Sequence, residues 1–438
     1  MSVCIVVCRS LPGGHFQYQN CVFCKDRLMK NKKNPKTNPN KPTPNKTKIA
    51  KSARRWQPNH ESDELVFAVC DRFLRQLGVA SGSASAEELG LKEEKKGAAA
   101  AVSHWLKEHW GRPDLNREKI YPLFWEAVHR GFLLLEPPME KMLADHVGKQ
   151  YAIDASRQHI KVVNSQGDVA SKHVAAAAAD TVVDLIEQVA QEKLSKRKSG
   201  EPVPAVHLGM GAGYATMLVA QRIARRVGSG VKFPPLVLHA ISAGGFLANE
   251  PQKAPATYFS YFDRNFLDIE CVTLFTETVV WNEDYERIKK NPGTRRAFER
   301  KNEIDIFITS LAAAHHEHGL LEQFLARLME EELLEHKTLD NMYKAGWIGD
   351  VQFCPYSNDG PLHDICPVRA VTLFEIEELV KFSQQPGKYV VLTAGPCGEC
   401  GASKSNALIP LLKNDQLNLW THLVTDTQTA RKIMSPDE

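Results

Sequence analysis

From about residue 205 onward, short continuous apolar runs alternate with amphipathic helical stretches, and this alternation limits the fold more than any other feature. The runs are AVHLGM, PLVLHAIS, DIECVTLFT, EIDIFITSLA, AVTLFEIEELVKF, KYVVLTAG and LWTHLVTD. A strand with one wet face alternates polar and apolar residues. Runs without that alternation belong to strands covered on both faces. Helical segments such as GYATMLVAQRIARRV supply the cover, so an α/β fold with a mainly parallel sheet is expected. A longer helix around Val174–Lys196 carries an apolar stripe of Val182, Leu185, Ile186 and Val189.

The chain before this region reads differently. Residues 1–60 carry thirteen Lys/Arg and one acid, Asp26, for a balance of +12, whereas the rest of the chain sums to −9. KNKKNPKTNPNKPTPNKTKIAKSARR has almost nothing to bury, and such a segment is expected to stay disordered. From Ser62 three helical patterns follow. ELVFAVCDRFLRQLG places Leu65, Val69, Phe73 and Leu77 on one face, with Gly78 as its end. AAAAVSHWLKEHW places Val102, Trp105, Leu106 and Trp110 at core spacing. NREKIYPLFWEAVHRG starts at an Asn116 cap, with Pro122 predicting a kink or a late start. Its Tyr121, Phe124, Trp125 and Val128 recur at helical spacing and read as core. Three helices followed by a short extended Phe132–Leu135 suit a winged helix-turn-helix. The organisation is then a basic tail at 1–60, a winged helix-turn-helix at 61–138, a linker at 139–170 and an α/β domain at 171–438.

Of the 438 residues, 43% are hydrophobic, enough for sizeable cores. No run approaches the length of a membrane-spanning helix. The apolar start MSVCIVVC has no basic residue before it, unlike a signal peptide. Ten cysteines are too sparse for a disulfide scaffold, which suits a cytoplasmic protein with reduced thiols.

Two glycine-rich turns run from strand to helix. The first is Val206-His207-Leu208-Gly209-Met210-Gly211-Ala212-Gly213-Tyr214-Ala215-Thr216. Its GxGxG pattern has Tyr214 where a dinucleotide fingerprint needs a third glycine, and the next strand ends in Ser242 rather than an acid. A phosphate loop without a nucleotide fits better. The second, Ala394–Lys404, offers Lys404 as a mobile cation. Both turns sit at the C-terminal ends of strands, where ligands bind open α/β sheets. Cys397 and Cys400 form a CxxC for which Cys354 and Cys366 are the nearest further thiols. Small residues filling a tight turn explain it more simply than a redox or zinc site. Cys4, Cys8, Cys21 and Cys24 lie in chain with little core to organise around a metal, and His315, His316 and His318 read as polar loop residues. Neither a metal nor a cofactor is expected. Asp350 and Asp359 are candidates to hydrogen-bond sugar hydroxyls. In the head, Asn116, Arg117, Lys119 and Arg130 lie on or near the helix that would enter a DNA groove.

Together these segments resemble the SorC/DeoR group of bacterial sugar-responsive transcriptional regulators. NREKIYPLFWEAVHRGFLLLEPP looks like its recognition helix and wing, and HLGMGAGYAT like its first phosphosugar loop. GWIGDVQFCPYSNDG resembles its Gly-Asp segment, and TAGPCGECGASKSNALIPLL the segment whose lysine faces the ligand phosphate. The resemblance implies a Rossmann-like, phosphosugar-isomerase-like sensor domain. It assigns effector binding to Gly209, Gly211, Gly213, Thr216, Asp350 and Lys404. It further implies operator DNA and a phosphorylated sugar as partners, a homodimer or homotetramer, and no catalytic residues. The alternative is a sugar-phosphate isomerase or deaminase with Asp350 or Glu399 as general base.

Overall fold

The computed structural model describes residues 58–80, 85, 91, 97–130, 132–133, 136–227, 233–244, 250–262 and 268–435. All but the last three residues of the basic tail, and the four cysteines within it, lie outside the described residues. The chain divides into two compact units between Leu135 and Glu136.

The first unit contains α1 (Asp63–Ala80), α2 (Ala98–His109) and α3 (Arg117–His129). Leu65, Val66, Val69, Phe73, Val102, Leu106, Leu115, Ile120, Leu123 and Ala127 form its core. The α1 and α2 stripes fall largely as the spacing predicts, except that Leu77 and Trp110 are exposed and α1 runs two residues past Gly78. The phase of α3 is different. Ile120, Leu123 and Ala127 face inward, while Tyr121 and Trp125, expected in the core, are 46% and 56% exposed. Pro122 sits inside α3 without ending it, and Asn116 occupies the N-cap position with no side-chain cap bond. The turn joining α2 to α3 is pinned by Ser103 Oγ, which donates to Leu115 O at 2.9 Å, and by Arg112, which bridges Glu61 and Asp114. That turn runs from Trp110 to Asn116, longer than the three or four residues of a compact helix-turn-helix. Of the expected wing, Phe132 and Leu133 lie in a bend, and Gly131, Leu134 and Leu135 fall outside the described residues.

The second unit is built on a parallel sheet. In chain order its strands are β1 (His159–Val163), β2 (Val206–Met210), β3 (Leu236–Ala240), β4 (Ile269–Val272), β5 (Val279–Trp281), β6 (Ile306–Ala313), β7 (Gly349–Val351), β8 (Cys354–Ser357), β9 (Gly360–Pro361), β10 (Val368–Ala370), β11 (Tyr389–Ala394) and β12 (His422–Asp426). The parallel order is β1-β12-β11-β6-β2-β3-β4. Residues alternate between two cores: Leu208, Ile306, Ile308 and Val391 enter one, Val237, Phe307, Leu392 and Val390 the other. The first core is covered by the helices Ala170–Ser195 and Tyr214–Val227, whose Val182, Leu185, Ile186, Val189 and Ile223 are buried. The helices Lys141–Gln150, Ile376–Ser383, Ser405–Lys413 and Thr427–Met434 cover the second.

Two expectations change. Residues 139–170, read as a linker with a helical stretch at MEKMLADHVGKQYAI, supply the helix Lys141–Gln150 there and, unexpectedly, the edge strand β1, which pairs in parallel with β12. The run AVTLFEIEELVKF is not a strand of this sheet. Its start ends β10, paired antiparallel with β5, and the rest is the helix Ile376–Ser383, opened by a capping box of Glu375 and Glu378.

Strand order reverses between β2 and β6. From β2 the chain moves outward through β3 to β4, and from β6 it moves the other way through β11 to β12. Such a reversal sends the two sets of connections to opposite faces and opens a crevice at the C-terminal strand ends.

Candidate functional site

The crevice is bounded by four segments: the turn after β2, the loop after β6, the hairpin β7–β8 and the loop after β11. Gly213, Tyr214, Lys253, Asp350, Thr393 and Lys404 are among its lining residues.

The glycines of the first turn do different jobs. Gly209 lies within β2, where a Cβ would come within 2.7 Å of Ile241 Cδ1 and 3.2 Å of Ile304 Cγ2. Gly211 donates its N–H to Ile308 O at 3.0 Å, and a Cβ there would overlap the Gln352 amide. Gly213, at φ +115°, turns the chain into the helix and donates to Lys253 O at 3.0 Å. Tyr258, completely buried, reaches both Gly213 O and Lys253 O with its hydroxyl. Thr216 is buried in the first turn of the helix, its hydroxyl directed at Ala212 O, and does not line the crevice. The sheet and its neighbours thus consume the N–H groups of Gly211 and Gly213. The donors left for an anion on this side are those of the helix's own first turn, around Tyr214 and Ala215.

The second turn supplies the charge. Lys404 is half-buried and lines the crevice, and its Nζ donates to Leu311 O at 3.0 Å. Burial pushes its ammonium below the usual lysine range. Asp350 on β7 is 4% exposed, and burial lifts its carboxyl to about 7, against a hydrogen bond from Phe353 N–H and the Lys404 charge, which both favour ionisation. No carboxylate among the described residues forms an ion pair with Lys404. Lys253, by contrast, is neutralised by Glu250 at 2.7 Å and Glu399 at 3.1 Å. These partners outweigh burial and keep it above the usual value. The crevice therefore holds one half-buried cation with no carboxylate against it among the described residues, one buried acid close to neutrality, and a helix N-terminus. Together they suit a small ligand with an anionic end and a hydroxylated body.

Of the residues expected here, Gly213, Asp350 and Lys404 converge on the crevice, and Gly209, Gly211 and Thr216 stand behind it. Asp359 lies outside it, its N–H donating to Ser357 Oγ in the turn between β8 and β9. In the head, Asn116 and Arg117 are exposed at the start of α3, and Lys119 Nζ donates to Asp114 O. Arg130 does not present its guanidinium outward. It pairs with Glu126 and Asp63, both at 2.7 Å, and donates to Glu61 O at 2.9 Å.

The crevice mouth contains a group that spacing alone gave no reason to join. His316 and His318, from the loop after β6, meet Cys397 and Cys400, from the loop after β11, and one ligand atom from each lies within 4.8 Å of the others. Cys354 and Cys366, the thiols expected nearest the CxxC, are elsewhere. Cys354 is close to Thr372 and Glu375, and Cys366 packs in an apolar cluster around Met342 and Phe353.

No protein-family model matches the chain, and no curated protein matches it in sequence. Solved structures do match. The full-length sorbitol operon regulator SorC from Klebsiella pneumoniae aligns over 86% of this chain and all of its own, with 12% identity and a TM-score of 0.52. A transcriptional regulator from Streptococcus pneumoniae TIGR4 aligns over 68% of this chain and 97% of its own (14% identity, TM-score 0.48). A DeoR family transcriptional regulator from Listeria monocytogenes aligns over 67% and 98% (16% identity, TM-score 0.46). The structural neighbours are thus DeoR/SorC-type regulators and sugar-binding domains, and the chain shares the fold of the Klebsiella protein.

Proposed function

We propose that this protein is a DNA-binding, sugar-responsive transcriptional regulator whose second unit takes a phosphorylated sugar in the switch-point crevice. The observation that carries the reading is Lys404: a half-buried ammonium with no carboxylate ion pair among the described residues, facing a crevice at the C-terminal strand ends. A phosphate there would favour its charged form and find the first-turn N–H groups around Tyr214 within the same crevice. Asp350, kept close to neutrality, can accept from or donate to sugar hydroxyls. The +12 tail and the exposed start of α3 supply a phosphate-following arm and a groove-reading end. Ligand would act through differential affinity for two arrangements of a homodimer or homotetramer, changing how two heads match paired half-sites. No chemistry on the ligand is needed.

The test is a gel-shift titration of the full chain against DNA from around its own gene, at fixed salt, with and without a panel of sugar phosphates. Site-specific retardation that one sugar phosphate shifts is the expected result. Retardation that every DNA fragment competes away equally, with no response to any sugar phosphate, overturns the reading. Turnover of a sugar phosphate would return the alternative of an isomerase or deaminase.

A further inference from the structure

Four side chains at the crevice mouth form a set that neither the sheet nor an effector requires. We infer that His316, His318, Cys397 and Cys400 form a closed tetrahedral site for a divalent transition ion of the zinc class, stapling the loop after β6 to the loop after β11.

The donor set is two imidazoles and two thiols, the soft-to-borderline combination that selects Zn2+ over Mg2+ or Ca2+. In a tetrahedral site with Zn–S of about 2.3 Å and Zn–N of about 2.0–2.1 Å, ligand atoms lie roughly 3.3–3.8 Å apart. Here all four atoms fall within 4.8 Å of one another, and Cys400 Sγ is 3.3 Å from His316 Nε2. An ion needs only a contraction of about 1 Å.

Local geometry supports each half independently. The CxxC turn is closed by Gly401 N–H donating to Cys397 O at 3.0 Å and Cys397 N–H donating to Ala402 O at 2.8 Å, with Gly401 at φ +72°. It directs both sulfurs to one side. In the histidine loop, His318 Nδ1 is buried with no hydrogen-bond partner among the described residues, and the nearby Glu317 Oε1 is too far at 3.9 Å. A buried ring nitrogen left without a partner is costly, and an ion would use its lone pair. The other nitrogen, Nε2, lies 3.4 Å from Glu399 Oε2, and Glu399 is itself held by Lys253. A carboxylate on the far ring nitrogen fixes the tautomer that leaves Nδ1 free to ligate. His316 must adjust: its Nδ1 accepts from His318 N–H at 3.2 Å, and ligation through Nε2 would move its proton onto Nδ1 and release that bond.

Two thiolates balance the charge of a divalent ion, so the site adds no net field against an anion at Lys404. On binding, both thiol protons leave to solvent and nothing is oxidised. Four protein ligands leave no open position, which makes the ion a staple rather than a catalyst. The two joined loops leave neighbouring parallel strands and frame the crevice, so the ion fixes its width.

The full chain, purified without chelator, should carry one zinc per chain by elemental analysis. After chelation, added Co2+ should produce the visible bands of a tetrahedral ion and near-ultraviolet thiolate charge transfer. Cys400→Ser and His318→Ala should weaken or abolish those bands, and Cys366→Ser should leave them intact. To separate ligand loss from misfolding of a variant, the wild-type protein is also cycled: chelation should lower its melting temperature and Zn2+ should restore it. The inference is overturned by any of three results. These are uptake of neither Zn2+ nor Co2+ at micromolar concentration, a cobalt spectrum unchanged in Cys400→Ser, and a Cys397–Cys400 disulfide that reductant releases with no metal uptake afterwards. None of these bears on the effector reading, which sugar-phosphate binding tests separately.

Discussion

His207 and His239 meet across the paired strands β2 and β3, with Nδ1 of the first 3.0 Å from Nε2 of the second. His239 is completely buried, its Nδ1 has no hydrogen-bond partner among the described residues, and burial pushes its pKa down to about 3, reinforced by the charges of His207, Arg300 and Lys388. Burial lowers His207 as well. The folded state therefore requires a neutral His239. The unfolded chain protonates it near the ordinary value of 6.5, so stability is full above that pH and falls as pH drops toward 3. The loss from this group is about 1.4 kcal/mol per pH unit within that window. Urea unfolding of His239→Leu should show a shallower acid slope than wild type between about pH 6 and 4. Equal slopes would mean the imidazole is reached by water and carries no such load.

Gly211 and Gln352 occupy one another's space. The Gln352 amide lies where a Gly211 side chain would begin, its Nε2 donates to Thr309 Oγ1 at 2.6 Å, and its Oε1 accepts from Ala212 N–H at 3.3 Å. Gln352 and Phe353 both hold positive φ, +51° and +65°, in the two-residue turn between β7 and β8. That turn type favours Asn-Gly, so the side chains are kept here at a backbone cost. Gly211→Ala should destabilise by about 1–3 kcal/mol through overpacking. Adding Gln352→Ala should recover part of that loss, and a double-mutant cycle by denaturant unfolding measures the coupling. Strict additivity would show that the two do not compete.

Arg117 and Arg130 should separate binding from stability in the head. Arg130 ties the end of α3 to the start of α1 through Asp63 and the Glu61 carbonyl, with Glu126 beside it. Arg130→Ala should lower the stability of the head by about 1–2 kcal/mol, the partly exposed partners limiting the figure. Arg117 is exposed, and Arg117→Ala should leave the melting curve unchanged. On DNA it should reduce the slope of log affinity against log salt by about 0.9 for one lost phosphate contact. An unchanged slope removes Arg117 from the DNA face.

What the sequence disclosed follows from how each segment is buried. VHLGM, LVLHA, IFITSL and YVVLTA are covered on both faces, and their unbroken apolar runs made them legible as strands. HIKVV is an edge strand with Lys161 half in water, and nothing in its pattern separates it from a linker. The phase of α3 was not readable because two apolar stripes lie side by side, Ile120-Leu123-Ala127 and Tyr121-Phe124-Val128, and only packing on α1 and α2 chooses between them. The histidine–cysteine group was missed for a topological reason. His316 and Cys400 are 84 residues apart, but their loops leave β6 and β11, which pair in parallel. No local spacing records that adjacency.

An anionic ligand favours the protonated form of both Lys404 and Asp350, charging the first and neutralising the second, and that makes their roles measurable. Burial moves both toward neutrality, Lys404 downward and Asp350 up to about 7. A phosphate near Lys404 favours its ammonium, so the complex should take up protons and affinity should fall as pH rises. Calorimetry of a sugar phosphate in buffers of different ionisation enthalpy should show that uptake, and Lys404→Ala should remove Lys404's share of the uptake and most of the affinity. Asp350 imposes the reverse burden on the free protein. Its folded pKa lies above the unfolded 3.8, so the cost of its charge is relieved as pH falls below about 7 and is fully present above it. Asp350→Asn should therefore raise the melting temperature at alkaline pH, by the equivalent of at most about 4 kcal/mol, while weakening the sugar phosphate. A variant that gains stability and keeps full affinity would place Asp350 in the fold and not in recognition. One that loses both would show that its carboxyl holds the β7–β8 hairpin against the crevice.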